Sequence, residues 1–352
     1  MNRVIQFIVI GILFLLHGRC KDAYDFNTVS QPGILIVDGN INDLPGPYLL
    51  TLSTTVSANL RPDPVTKAFV TITDNQGNQE GYTELGSGKY QLTGTFVQGV
   101  PGRSYVLKIK LSDGRTYQST SELLPTNGKL RDSVFFNVTE NKVLSSEGAS
   151  VNNWQVNIFL SSDLSQTNSG YFRWAVEEVY SLFPTCFPGA ISCPPICYIH
   201  QPITYYNLKV INRANYAGSS LQNIELESRE VDYSFATRHF FNVFQYSMNP
   251  SAFSYWSKIQ ELVTKRGSIF DTPPYTIVGN VTNINNPQEM VFGYFEASGA
   301  TLTRKFVDRG YIPTFVQTCF LNLPDYIPNT YFCADCTGMP GSSIEEPYWF
   351  WH

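Results

Sequence analysis

From residue 34 to residue 121, apolar and polar side chains alternate in short runs separated by turn-forming residues. ILIVDG (34–39) is followed by YLLTLS (48–53), AFVTITDNQG (68–77), GYTELGSGKYQLTG (81–94) and SYVLKIKLSDGRTYQSTS (104–121). Period-two alternation places successive side chains on opposite faces of a strand. In SYVLKIKL the residues Tyr105, Leu107, Ile109 and Leu111 therefore share one face. Gly86-Ser87-Gly88 and Asp113-Gly114 stand between alternating flanks and predict hairpins. With no helical periodicity in this stretch, residues 33–126 are expected to form a small immunoglobulin- or transthyretin-like β-sandwich.

Leu124-Pro125-Thr126-Asn127-Gly128 suggests a boundary, and a second, larger, mostly β domain is expected over 127–352. SVFFNV (133–138), NWQVNIFLSSD (153–163), GYFRWAVEEVYSLF (170–183), NLKVINR (207–213), SLQNIEL (220–226) and HFFNVFQYSM (239–248) continue the strand pattern. One helix stands out, PSAFSYWSKIQELVTKRG, covering about 250–266. Asn249 or Ser251 can cap it, Pro250 suits its first turn and Gly267 its stop. Ala252, Trp256, Ile259 and Val263 form a stripe expected to pack on a sheet.

The amino end follows a different pattern. Arg3 precedes an apolar run from Val4 to Leu16, interrupted only by Gln6. The run suits a signal-peptide core and falls short of the roughly 20 residues needed to cross a bilayer. Cys20 ends it, and polar residues follow at once. The expectation is a lipoprotein signal over 1–19, lipidation at Cys20 and a tether over 20–32. Two or three acyl chains, each contributing roughly 0.8 kcal/mol per buried CH₂, would hold such a protein on a membrane. Arg19 and His17 fit a lipobox poorly. The alternative is an ordinary signal peptide whose cysteine enters a disulfide.

Composition narrows the functional classes. Net charge is −5 with only 15% charged residues, and Lys and Arg are scattered, so no basic footprint for nucleic acid is present. Of the seven cysteines, lipidation of Cys20 leaves Cys186, Cys193, Cys197, Cys319, Cys333 and Cys336. An even remainder in an exported chain favours disulfides, with no pairing chosen by sequence. A zinc site built from CADC (333–336) and the 186–197 loop is the alternative. The mature chain has three histidines, His200, His239 and His352, in contexts that share no catalytic motif. His239 lies in an apolar strand and is expected to be structural. Glu177-Glu178, and Glu225 with Glu227 and Glu230, could in principle supply the carboxylate pair of a glycosidase. Scattered acids on strands are more often solvated, so no catalysis, cofactor or metal is expected.

Aromatic residues offer a binding reading: Tyr205-Tyr206, Tyr326, Tyr331-Phe332 and the terminal Tyr348-Trp349-Phe350-Trp351. In an extended tail Trp349 and Trp351 point to one side and Phe350 to the other. The four terminal aromatics are candidate contacts for a partner or ligand, and the proline-stiffened 186–197 loop looks like a pinned surface loop.

The stretch from about 244 to 306, FQYSMNPSAFSYWSKIQELVTKRGSIFDTPPYTIVGNVTNINNPQEMVFGYFEASGATLTRKF, resembles a Bacteroidota lipoprotein family known only as domain of unknown function 4249. LIVDGNIND…YLLTLS, YFRWAVEEVY and the closing CADCTG…PYWFW are also similar to it. The resemblance implies an outer-membrane lipoprotein, lipid-anchored and surface-exposed, working as a non-catalytic accessory of a TonB-dependent β-barrel receptor resembling SusC. It also gives Lys21 and Asp22 the character of a weak surface-export signal. A surface glycan-binding or glycan-processing protein and a structural envelope component are the alternatives.

Overall fold

A computed structural model describes residues 33–56, 62–126, 129–144, 150–167, 170–183, 195–202, 208–264, 277–314, 316 and 336–351. In chain order its strands are β1 (Leu35–Asn42), β2 (Tyr48–Thr54), β3 (Asp63–Pro64), β4 (Phe69–Asp74), β5 (Gln79–Gly81), β6 (Thr83–Gly86), β7 (Lys89–Leu92), β8 (Ser104–Lys110), β9 (Thr116–Ser119) and β10 (Glu122–Leu123). Then come β11 (Arg131–Leu144), β12 (Ser150–Asp163), β13 (Tyr171–Leu182), β14 (Cys197–Pro202), β15 (Lys209–Asn212), β16 (Ser220–Glu230) and β17 (His239–Met248). The helix α1 (Pro250–Thr264) precedes β18 (Val281–Asn283), β19 (Val291–Val307) and β20 (Ser342–Ser343). The chain is mainly β, as the alternation predicts, and β17 coincides with the predicted 239–248 run.

One long sheet runs β20-β14-β13-β17-β19-β1-β2-β7-β6, with β15 beside β13 and β3 beside β2. Its middle member, β19, changes partner along its length. Val291 to Ser298 pair in parallel with β1, and Gly299 to Val307 pair antiparallel with β17. Alternation then makes the odd-numbered residues of β19 serve two cores in succession. Val291, Phe295 and Ala297 join Leu35, Val37 and Ile41 under the sheet β18-β9-β8-β4-β5. Val307 joins Phe172, Trp174, Phe241 and Val243 under the sheet β11-β12-β16. Both cores thus lie on the same face of the long sheet. Tyr105, Leu107, Ile109 and Leu111 are all buried in the first, as their shared parity requires.

The first sandwich is not closed by N-terminal strands alone. β18 pairs with β9 and β19 with β1, so residues 281–307 return across the boundary placed at Leu124–Gly128. Close approach needs glycine here: Gly293 has φ +82°, and a Cβ on it would sit 1.9 Å from the Val37 carbonyl oxygen. Asn280 reinforces the return. Its side chain accepts from the Phe295 amide at 2.9 Å and donates to the Phe295 carbonyl at 2.8 Å, copying a strand rung.

The helix lies on the opposite face. Asn249 caps it by accepting from the Ala252 amide at 2.8 Å. Ala252, Trp256 and Ile259 pack with Tyr171, Met248, Tyr246 and Tyr294, the sheet contact expected of the apolar stripe. Gly267, the expected stop, lies outside the described residues.

Carboxylates fasten the loops of the first sandwich. Glu80 accepts from the Thr93 hydroxyl at 2.7 Å and from the amides of Gly94, Thr95, Phe96 and Val97 at 2.8–3.2 Å. Burial would raise its pKa, but these donors outweigh it and hold the carboxyl below its ordinary 4.5. Asp74 is likewise lowered from 3.8: burial is outweighed by the side chain and amide of Asn78, the Gln76 amide and Arg103. A carboxyl depressed on folding stabilises the protein above its unfolded pKa, and that stability is lost as pH falls through the folded value. Equilibrium denaturation should therefore show stability declining as pH drops below about 4.5. In Glu80→Gln the midpoint at neutral pH should fall, and the acid-induced decline should be shallower than in the wild type.

Candidate functional site

The four terminal aromatics reach the sheet because the chain before them is stapled to its edge. Cys197, at the start of β14, forms a disulfide with Cys336, 139 residues away, with S–S 1.97 Å. The bond is buried among Tyr180, Leu182, Ile199, Tyr233 and Met339. Beyond it, β20 pairs Ser342 with Ile199 and Ser343 with Tyr198, and the His200 amide donates to the Gly341 carbonyl at 2.9 Å. Tyr198 then donates its hydroxyl to Glu346 at 2.8 Å. Of the six cysteines expected to form disulfides, Cys197 and Cys336 are paired. Cys186, Cys193, Cys319 and Cys333 lie outside the described residues. The zinc alternative loses two ligands to this bond, and among the described residues no three His, Cys, Asp or Glu side chains cluster for a metal.

From this staple residues 344–351 cross the face that carries α1. The segment is a turn rather than an extended strand: the Phe350 amide donates to the Pro347 carbonyl at 2.9 Å. The four aromatics consequently have different environments. Phe350 is 0% exposed and packs on Val179, Tyr198 and Phe240. Trp349 meets Phe240 edge-on at 4.9 Å, and the Arg304 guanidinium stacks on its ring at 4.4 Å. Tyr348 is 82% exposed and Trp351 42%. Arg238 lies over Phe306 at 4.4 Å and over Trp351 at 5.6 Å, and its Nε is 2.8 Å from Asp308 Oδ1. Its guanidinium also donates to the Phe350 carbonyl at 3.3 Å. The result is an open patch of Tyr348, Trp351, Phe306 and two arginines, seated on a buried phenylalanine.

Sequence reading supplied the tail but missed Arg238, Arg304 and Phe306. The signal was present in TLTRKFV, where Leu302, Arg304 and Phe306 alternate with the opposite face of β19. Beside the patch lies a polar row from cross-strand pairing. Glu177 faces Asn242, and Asn242 faces Arg304. His200 Nδ1 is 3.5 Å from Glu177 Oε1, and Asn242 donates to Glu177 Oε2 at 3.3 Å.

The other candidate residues separate. Glu177 and Glu178 are consecutive on β13 and so project to opposite faces, which removes them as a pair across one cleft. Glu178 is buried and ion-paired with Arg229 at 3.0 Å. Burial would raise its carboxyl, but His239 and Arg229 outweigh it and hold it below the ordinary range. His239 itself is fully buried, stacked against Phe235 at 4.2 Å and Phe241 at 4.8 Å, with its Nε2 3.5 Å from Glu178. On β16, Glu227 is pushed up to about 7, chiefly by burial, with Glu178 and Glu225 adding repulsion. Glu225 and Glu230, on the same strand, are exposed. Cys20, Lys21, Asp22, Tyr205, Tyr206, Tyr326, Tyr331, Phe332 and His352 lie outside the described residues.

Residues 21–304 match the family model described as a domain of unknown function (DUF4249). The chain belongs to this family. The matched segment takes in β1 to most of β19 and so includes the strand that both cores share. It ends at Arg304, short of the terminal CADCTG…PYWFW segment expected to carry the same resemblance. The disulfide's second cysteine and the four terminal aromatics lie beyond the matched span. No curated protein matches the sequence.

Two substitutions separate the supporting part of the patch from its open part. Phe350→Ala should cost about 3–5 kcal/mol in chemical denaturation, as loss of a buried aromatic does, whereas Tyr348→Ala should change stability by less than about 0.5 kcal/mol. Cys336→Ser should lower stability by about 2–4 kcal/mol and release a C-terminal fragment earlier in limited proteolysis.

Proposed function

We propose that the chain is an exported lipoprotein, anchored to the outer membrane through acylated Cys20, that serves as a non-catalytic partner of a TonB-dependent β-barrel receptor. The arginine–aromatic patch at the C-terminus is the surface it offers. The observation that carries this reading is the seating of exposed Tyr348 and Trp351 beside stacked Arg238 and Arg304, on a segment pinned by a disulfide and a buried Phe350.

Aromatic and arginine side chains dominate the energetic centres of protein interfaces. Pre-ordering the segment removes much of the entropy that docking would otherwise cost. Arg304 adds a cation with no described carboxylate on it, so an acidic patch on the partner complements this surface. The disulfide agrees with an oxidising compartment outside the cytoplasm. Lys21 and Asp22 would then follow the anchor as a sorting signal on the outer leaflet.

Purification of the full chain from detergent-solubilised membranes tests the partnership. A stoichiometric β-barrel receptor should accompany the wild type, and the Tyr348→Ala/Trp351→Ala variant should recover it at least about tenfold less well. Recovery of the free protein alone would count against the reading, and turnover or tight binding of a glycan would favour the other class. Metabolic palmitate labelling should be present in the wild type and absent in Cys20→Ala.

A further inference from the structure

The first sandwich has one end at which the chain leaves toward Cys20. There the Gly33 amide donates to the Thr55 carbonyl at 2.7 Å, and the parallel register that begins at Leu35 and Val291 brings Ile34 and Met290 to the same end. Glu289, just before Met290, accepts from the Tyr117 hydroxyl at 2.6 Å and from Arg115 at 3.2 Å. The exit is thereby joined to the last rung of the sheet β18-β9-β8-β4-β5. That rung is a row. Phe69 pairs with Lys110, Lys110 pairs with Thr116, and the Ile284 amide donates to the Thr116 carbonyl at 2.9 Å. Val70, Ile109 and Tyr117, their neighbours in sequence, are buried in the core, so Phe69, Lys110 and Thr116 point outward. Ile284 follows buried Asn283 and points outward with them.

Three large apolar side chains stand open at this end: Phe69 at 69% exposure, Ile284 at 50% and Met290 at 37%. Phe69 and Ile284 lie three strand spacings apart, roughly 14 Å, so the apolar residues form a strip. The charges beside it balance. Lys67, Lys110 and Arg115 stand against Glu84, Asp113 and Glu289, with Arg115 2.8 Å from Asp113 and the Lys67 amide donating to Glu84 at 2.9 Å. Gly33 is 13 positions beyond Cys20, a length of chain that reaches at most about 45 Å fully extended. β1 is eight residues long, which makes this sandwich roughly 27 Å from end to end. To present its other end to a membrane, the molecule would need more than half of that reach to run back along its own side.

We propose that this strip, Phe69, Ile284 and Met290 with Lys67 and Lys110 beside it, rests on the phospholipid surface to which Cys20 is anchored. The inference rests on the anchored reading above and adds which end of the molecule meets the lipid. A phenyl ring, an isoleucine and a methionine suit the boundary between headgroups and acyl chains, where aromatic residues collect and apolar area leaves water. The lysines can lay their stems on that apolar ground while their ammonium groups reach lipid phosphates. Three such side chains would not hold a free protein on a membrane. The anchor makes their contact intramolecular, and so supplies the effective concentration they lack. With its charges balanced, the contact does not require anionic lipid. Arg304 and Phe306 of the C-terminal patch lie at the other end of β19, so lipid and partner engage opposite ends of that strand.

The mature chain with a hexahistidine tag in place of Cys20, held on phosphatidylcholine vesicles by a nickel-chelating lipid, tests the strip without acylation. Ile284→Trp and Phe69→Trp should each be quenched when the phosphatidylcholine carries brominated acyl chains, beyond the quenching of the parent chain. Phe96→Trp is the control. Phe96 is more exposed than any residue of the strip, but its amide donates to Glu80 at the far end of the sandwich, so it should show no added quenching. Phe69→Ser/Ile284→Ser should leave the vesicles roughly tenfold faster than the parent. Equal quenching at positions 284, 69 and 96, no added quenching at the first two, or unchanged dissociation of the double variant would each overturn the proposal. Absence of palmitate from the wild type would instead remove the anchor, on which this measurement does not draw.

Discussion

The parallel pairing of β1 with the first half of β19 is the constraint on which the rest depends. It joins residues more than 250 positions apart in sequence and closes the first sandwich with strands made late. Parallel pairing needs a long crossover, and here residues 43–290, most of the chain, serve as that crossover. Loop closure over such a distance is slow and must precede the contacts that reward it. The early strands must therefore remain incomplete until residues 281–307 exist, and two cores that are separate in space become one unit in folding.

The same strand explains why charge lies next to α1. β19 is covered on both faces along much of its middle, so Glu296 has no route to solvent and must find its partners inside. Arg173 meets that need from β13, and Tyr246 and Trp256 flank the guanidinium where water would otherwise be. A buried ion pair of this kind contributes little net stability, but removing either member leaves a stranded charge. Helix position, ring packing and ion pairing are therefore mutually dependent.

Much of the fold was legible because β structure writes its faces into alternation. The Tyr105–Leu111 face, the hairpin at Asp113-Gly114 and the β17 run all follow from local pattern. The β1–β19 register does not, since alternation says which face a residue takes but not which distant strand lies beside it. The boundary near residue 126 was read from a turn signal, which marks a change of direction whether or not the chain later returns. At the candidate site the tail aromatics were conspicuous, while Arg238 and Arg304 were not, because a charged residue on or just before a strand looks solvated until a ring is placed against it. Glu296, which receives the Trp256 indole, escaped for the same reason.

Among the described residues the long sheet does not close on itself, so it has two margins. An unpaired strand edge is a template for any extended chain that meets it. One margin here ends in β6, four residues long, and the other in β20, only two. At the second, β20 covers part of β14 and is itself held by the Cys197–Cys336 bond. The disulfide is thus also a guard. Reducing it would uncover the backbone of β14 and turn a protected margin into a site for strand addition between copies of the chain, linking the redox state of the surroundings to colloidal stability.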